Sequence, residues 1–281
     1  MKHYQNEAFE GERALFMTQD ALIEGCRFHD GESPLKESKK LDVRECSFEW
    51  KYPLWYCKNV EVSDSTFNPN ARAGIWYTNG INLTQCQFDA PKLFRRCVGI
   101  KITDSEFTDG QETLWWCDSI SLDTIVVRNA PYFAMLSKNI TVDHLDLEGN
   151  YAFDGCENVV IRNSVLHTKD AFWNCKNVEI ENCYIEGEYF GWNSENVVLR
   201  HCEIHSHQGF CYMKNITLID CRVIDTDLSF EYCEKIDAEI VSDVDSIKNP
   251  ISGRVVCGKI GELIFDDPNI DPSKTEIVHA E

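Results

Sequence analysis

Cys57-Lys58-Asn59-Val60-Glu61-Val62-Ser63-Asp64-Ser65-Thr66-Phe67 is the stretch that decides the fold, because its pattern returns at Cys97 to Phe107, Cys156 to Leu166, Cys175 to Ile185 and Ser194 to Ile204. A repeat of fixed period sets the architecture ahead of any local propensity. The aliphatic anchor of the pattern falls at Leu41, Val60, Ile81, Ile100, Ile120, Ile140, Val159, Val178, Val197, Ile216 and Ile236, at intervals of 19 to 21 residues. Ala21 continues the series upstream, and Ile260 is expected to continue it downstream after a longer interval.

Within each repeat the anchor and the residue two later are apolar while the residue between varies, which describes a short strand with one buried face. A small residue and then a large apolar one follow five and seven positions after the anchor, as in Cys46/Phe48, Ser65/Phe67 and Cys202/Ile204. That is a second strand beyond a corner. A third apolar stretch precedes the cysteine position, in Leu54-Trp55-Tyr56, Ile75-Trp76-Tyr77, Leu114-Trp115-Trp116 and Phe172-Trp173. Asn stands just before the anchor at Asn59, Asn139, Asn158, Asn177, Asn196 and Asn215. It tolerates the left-handed backbone of a sharp corner and can hydrogen-bond up a column of equivalents.

Three short strands and three corners in about twenty residues leave no room for a helix, so the expected fold is all-β: a right-handed parallel β-helix, or solenoid, of about 12–13 coils. The leucine-rich repeat shares part of the pattern, but these repeats are short for it and carry an aromatic strand where it has a helix or 3₁₀ segment. One domain is expected over residues 1–281, with an N-terminal cap at 1–17, regular coils at 18–243 and a C-terminal coil, cap and tail at 244–281.

The formal net charge of −20 argues against phosphate backbones and anionic membranes as partners. No stretch approaches the apolar length of a membrane span, and Met1-Lys2-His3-Tyr4 does not open like a secretory signal, so a cytoplasmic location is the expectation. In that setting the 14 cysteines read as reduced thiols, small and buried. No C-x-x-C pair is present, and neither a metal nor a cofactor is expected.

The repeat resembles those of pectin-lyase-like β-helices. More closely, Gly31-Glu32-Ser33-Pro34-Leu35, Lys51-Tyr52-Pro53-Leu54-Trp55-Tyr56, Lys169-Asp170-Ala171-Phe172-Trp173-Asn174 and Lys248-Asn249-Pro250 resemble an uncharacterised bacterial β-helix family of unknown function. The resemblance spans nearly the whole chain and implies the fold. It implies no catalytic residues, and the motifs of polygalacturonases and pectin methylesterases are missing.

Function therefore has to be read from the third stretch. Three residues before the cysteine position the sequence is uniformly apolar and should face inward. Two before it stand Trp55, Trp76, Arg95, Trp115, Asp154, Trp173 and Trp192, which strand alternation turns outward. With Lys169 and Tyr189 they suit a small-molecule or oligosaccharide ligand. Asp154, Asp170 and Glu188 lie on successive coils as candidate catalytic carboxylates for glycoside hydrolysis, while a lyase would want a base such as Lys92, Arg95, Arg96 or Lys169. The alternative is an interaction scaffold whose aromatic strip docks a protein or a second copy. A further column, Glu148, His167, Glu186 and His205, stacks an imidazole–carboxylate ladder on a different corner.

Overall fold

Val60 and Val62 are buried while Asn59 and Glu61 beside them are exposed, and the same alternation runs through Lys39–Arg44, Asn79–Thr84 and Lys176–Glu181. In the computed structural model, which describes residues 1–279, these strands stack in parallel and in register. Leu41 lies beside Val60, Val60 beside Ile81 and Ile81 beside Ile100; further on, Val159, Val178, Val197, Ile216 and Ile236 form a corresponding column. Each repeat is one coil of a right-handed parallel β-helix, and no α-helix occurs among the described residues.

The chain divides into two compact units, one ending at Asp146 and the other beginning at Leu147. In the N-terminal unit a ladder of phenylalanines fills the core, Phe9–Phe28–Phe48–Phe67–Phe88–Phe107, with successive ring centroids 4.4–5.4 Å apart. In the C-terminal unit Phe153, Phe172, Phe190, Phe210 and Phe230 make another, at 5.1–5.6 Å. Rings of this size bury 150–250 Å² each, so the two ladders carry much of the apolar burial.

Corners rest on left-handed backbone. Asn158, Asn177, Asn196 and Asn215 all have φ between 57° and 59°. Each amide donates to the side-chain oxygen one coil back: Asn177 to Asn158 at 2.9 Å, Asn196 to Asn177 at 3.0 Å and Asn215 to Asn196 at 2.8 Å. Four of the six corner asparagines thus stack as the sequence led one to expect, while Asn139 donates to Asp118 Oδ1 at 2.7 Å. Gly80 (φ 75°) takes this corner in its own coil, where a Cβ would stand 2.9 Å from Asn59 Oδ1.

The cysteine column has a related task. Cys175 Sγ donates to the Phe153 carbonyl at 2.9 Å, the Cys175 N–H donates to Ser194 Oγ at 2.8 Å, and Ser194 Oγ donates to the Phe172 carbonyl at 2.6 Å. Thr78 and Ser137 bridge in the same way, to Leu54 and to Leu114. The position requires a small side chain that both donates and accepts, which Cys, Ser and Thr all provide. All 14 cysteines are free and buried, and burial pushes the Cys57 and Cys175 thiols up to about 12.

The solenoid has about 15 turns, more than the 12–13 expected. Lys2–Gln5 already pairs with Gln19–Glu24, Gly253–Cys257 with Glu234–Ile240, and Thr275–His279 with Gly253–Cys257. Lys2, Gly253 and Thr275 occupy anchor positions there, so no aliphatic residue marks those coils. Ile260 is not the next anchor; it pairs with Val244 in a separate two-stranded sheet. The third side of the coil also differs from a regular strand. It is strand at Ile75–Trp76 and Phe94–Arg95, and elsewhere mostly a sequence of turns. Left-handed residues such as Tyr52 and Tyr56 cause this, yet hydrogen bonds still run from coil to coil, for example from the Leu54 N–H to the Gly74 carbonyl at 2.9 Å.

Candidate ligand-binding face

Each coil brings its third side to the cysteine column through the same three steps. Leu54, Ile75, Phe94 and Phe172, three before the column, are fully buried as expected. Trp55, Trp76, Arg95, Trp115, Asp154, Trp173 and Trp192, two before it, are half-buried instead of fully outward. The residues one before are the exposed ones: Tyr56 (43%), Tyr77 (39%) and Trp116 (41%). The cause is local, because Tyr56, Tyr77 and Trp116 have φ of 51–58° and a corner there breaks strand alternation.

In the N-terminal unit the ring faces are spent on one another. Trp55 stacks on Trp76 at 5.3 Å with planes 7° apart, the Arg95 guanidinium lies over Trp76 at 4.5 Å, and it lies over Trp115 at 4.8 Å. Trp76 Nε1 donates to the Lys92 carbonyl at 3.0 Å and Trp115 Nε1 to the Tyr132 carbonyl at 2.6 Å. These rings brace the coils, and Trp76 has both faces covered. A sugar ring stacked flat on Trp76 is ruled out by that arrangement.

In the C-terminal unit the tryptophan rings are tilted instead of stacked flat, and Trp192 also meets Tyr212 at 4.8 Å. Trp173 and Trp192 are tilted 33° from each other at 5.8 Å, and Tyr151 meets Trp173 edge-on at 5.5 Å. Trp173 Nε1 is anchored to the Tyr189 carbonyl at 2.8 Å. Beside them lies Asp170, 1% exposed, at a left-handed corner with φ 58°. Its column neighbours are fixed by main-chain bonds: the Tyr151 N–H donates to the Lys169 carbonyl, the Asp170 N–H to the Glu188 carbonyl and the Tyr189 N–H to the His207 carbonyl, all at 2.8–2.9 Å.

Asp170 is the unusual group of the face. Its Oδ1 is buried and has no hydrogen-bond partner. Burial pushes its carboxyl above the ordinary aspartate value, against the pull of Lys169 and a hydrogen bond from Tyr151. Next to it Lys169 Nζ pairs with Glu188 at 3.2 Å, and that pairing raises the Lys169 ammonium above its usual value. Lys169, Asp170 and Glu188 thus form one electrostatic group. Asp154 stands outside it: its Oδ1 accepts from Asn174 Nδ2 at 3.0 Å, and Asn174 in turn accepts from Asn193 at 2.9 Å. It belongs to a corner ladder.

The imidazole column is assembled in register, His167 beside Glu186 beside His205. Each ring is engaged by a carboxylate, His167 Nδ1 with Glu186 at 3.0 Å and His205 Nε2 with Glu203 at 3.0 Å. Among the described residues no group of His, Cys, Asp and Glu is arranged to hold a metal ion.

A right-handed parallel β-helix with an aromatic, charge-lined third side is the class these features define. Over residues 2–278 the chain matches the family described as a protein of unknown function, DUF3737, and it belongs to that family. No curated protein matches its sequence. Among solved structures it is similar to the A-module of mannuronan C-5 epimerase AlgE4 from Azotobacter vinelandii, with 8% identity, a TM-score of 0.34, and 99% of this chain and 90% of that one covered. The surface adhesin PfbA of Streptococcus pneumoniae gives 8% identity, a TM-score of 0.32 and coverage of 93% and 70%. The plasmid-mediated fluoroquinolone resistance protein QnrB1 gives 13% identity, a TM-score of 0.24 and coverage of 76% and 83%. Similarity at this level does not bear on what the third side does.

Proposed function

We propose that this β-helix binds a carbohydrate on the third side of its C-terminal unit, around Lys169, Asp170, Trp173, Glu188, Tyr189 and Trp192. The observation that carries the reading is the buried, unpartnered Oδ1 of Asp170 among aromatic side chains. Leaving a buried acceptor unpaired costs about 1–3 kcal/mol, and more when the group is charged. A sugar hydroxyl supplies the missing donor, and the tilted Trp173–Trp192 pair supplies apolar surface for the ring.

The same electrostatics separate the two chemistries that the residue types allow. A raised Asp170 carboxyl favours the proton-holding form that a general acid needs. A raised Lys169 ammonium is a poorer base. Glycoside hydrolysis with Asp170 as acid is therefore favoured over a lyase reaction with Lys169 as base, and Asp154, held by Asn174, has no part in it.

Calorimetric titration with a panel of neutral and acidic oligosaccharides tests the reading. Saturable binding that Asp170→Asn and Trp173→Ala both weaken, by about 10- to 100-fold for a charge-assisted bond, supports it. A panel without a binder, together with a mass that rises with protein concentration, would favour the scaffold instead.

A further inference from the structure

We propose that the third side of the N-terminal unit carries a separate binding site for a small organic anion, one ring bearing a carboxylate or a phosphate. A recess of about 160 Å³ opens there, lined by Tyr52, Trp55, Arg72, Ala73, Trp76 and Lys92. Its volume is close to the roughly 150 Å³ that takes up a benzene molecule in an engineered protein cavity, so one six-membered ring fills it. The walls are mostly apolar: the Tyr52 ring lies 4.4 Å from Trp55, and Trp55 stacks on Trp76.

The charge at this recess runs against the rest of the molecule. In a chain of net charge −20, Arg72 is exposed on the rim and has no acidic partner among the described residues. Lys92 stands on the rim as well, with Glu112 of the next coil at 3.1 Å, and Arg95, on the same coil as Lys92, reaches that carboxylate at 3.7 Å. Glu112 thus serves two cations. The Arg95 side chain is only 19% exposed and lies over Trp76 and Trp115, outside the residues that line the recess. Arg72 lacks a counter-ion and Lys92 shares its only carboxylate with Arg95, so the electrostatic complement of the recess is an anion. Arginine suits that role because its planar fork matches carboxylate and phosphate oxygens. The ring would lie against Tyr52 and Trp55 with its charged group turned to Arg72. This site shares no residue with the Asp170 group, so either can stand without the other.

Calorimetric titration of the full chain with benzoate, glucuronate and glucose 6-phosphate, each set beside a neutral counterpart (benzyl alcohol or glucose), tests the proposal. The expected result is saturable binding of at least one anion, at least about tenfold tighter than its neutral counterpart, which is one charge-assisted bond. Binding should weaken as salt rises, fall by about tenfold or more in Arg72→Ala, and persist in Asp170→Asn. Glucose 6-phosphate binding without glucuronate or benzoate binding identifies a phosphate site, and the reverse a carboxylate site. Three outcomes overturn the proposal: no anion binds, an anion binds no better than its neutral counterpart, or binding survives Arg72→Ala. Arg72 is exposed and makes no side-chain contact that folding needs, so a loss in Arg72→Ala reads on binding alone.

Discussion

Replacing Asp170 by asparagine should make the protein more stable at pH values above the raised titration of this carboxyl, while weakening the proposed carbohydrate binding. Asparagine tolerates the left-handed corner that Asp170 occupies at φ 58°, and its amide oxygen can keep the hydrogen bond from Tyr151. The substitution removes a buried charge and leaves a neutral amide with one unpaired group, so only part of the roughly 1–3 kcal/mol cost is recovered. A gain of about 1–2 kcal/mol follows, which at roughly 2–4 °C per kcal/mol for a large domain is a rise in Tm of about 2–8 °C.

The pH dependence has a definite sign. The carboxyl of Asp170 is raised in the folded protein, so between the ordinary aspartate value and the raised one the native chain holds a proton that the unfolded chain has released. Stability from this group then falls as pH rises through that window, and the deficit is complete above the folded value. The advantage of Asp170→Asn should be full above the raised value and should shrink as pH is lowered to the ordinary aspartate range. Differential scanning calorimetry of both proteins at several pH values measures it. A variant that is equal to or less stable than the parent at every pH, or an advantage that grows on acidification, would refute the reasoning.

Other consequences follow from the columns. Ser194→Ala removes the hydroxyl that accepts from Cys175 N–H and donates to the Phe172 carbonyl, which should cost about 1–3 kcal/mol in urea unfolding; Ser194→Cys should restore most of it, because cysteine does the same work one coil back. Asn177→Ala loses both of its rungs to Asn158 and Asn196 and keeps the left-handed corner without the residue that tolerates it, for a loss of about 1–3 kcal/mol, and Asn177→Gly should lose less. The native protein at pH 8 should leave its 14 buried thiols unreacted toward a disulfide reagent and yield all of them after denaturation; rapid labelling of several native thiols would contradict the buried columns.

Much of the fold was legible because the anchor and phenylalanine columns are spelled by residue type at a constant interval. The coils at either end were not, since Lys2, Gly253 and Thr275 hold anchor positions through main-chain pairing, which asks nothing of the side chain. On the third side the sequence located Trp55, Trp76, Trp115 and Trp173 but misjudged their exposure. Strand alternation does not survive a left-handed residue at Tyr56 or Tyr77, so the exposed strip falls one position later. Asp170 and Glu188 were named from their chain positions, and the structure places both with Lys169. The burial of Asp170 could not be read from sequence, because a corner residue has no periodic pattern to mark its face. Asp154 was misplaced for a related reason: a single Asp does not reveal that Asn174 and Asn193 continue its ladder. Nothing in the sequence marks Arg72, because no repeat partner sets it apart.

The corner asparagines also bear on how a chain like this can change length. Asn158 precedes Val159 as Asn177 precedes Val178, both asparagines share the same backbone conformation, and the two valines lie side by side in register. Excising everything from Val159 through Asn177 would join Asn158 to Val178 and recreate a junction the protein already uses. Losing one residue inside that span would instead put every later side chain of the coil in its neighbour's place. Such a chain can be edited cheaply in whole turns and only at great cost in fractions of one, so duplication and deletion of complete repeats offer it a route to new lengths. The turn removed in this example carries Asp170 and Trp173, so one such step would erase the proposed carbohydrate site and leave the corner junction intact.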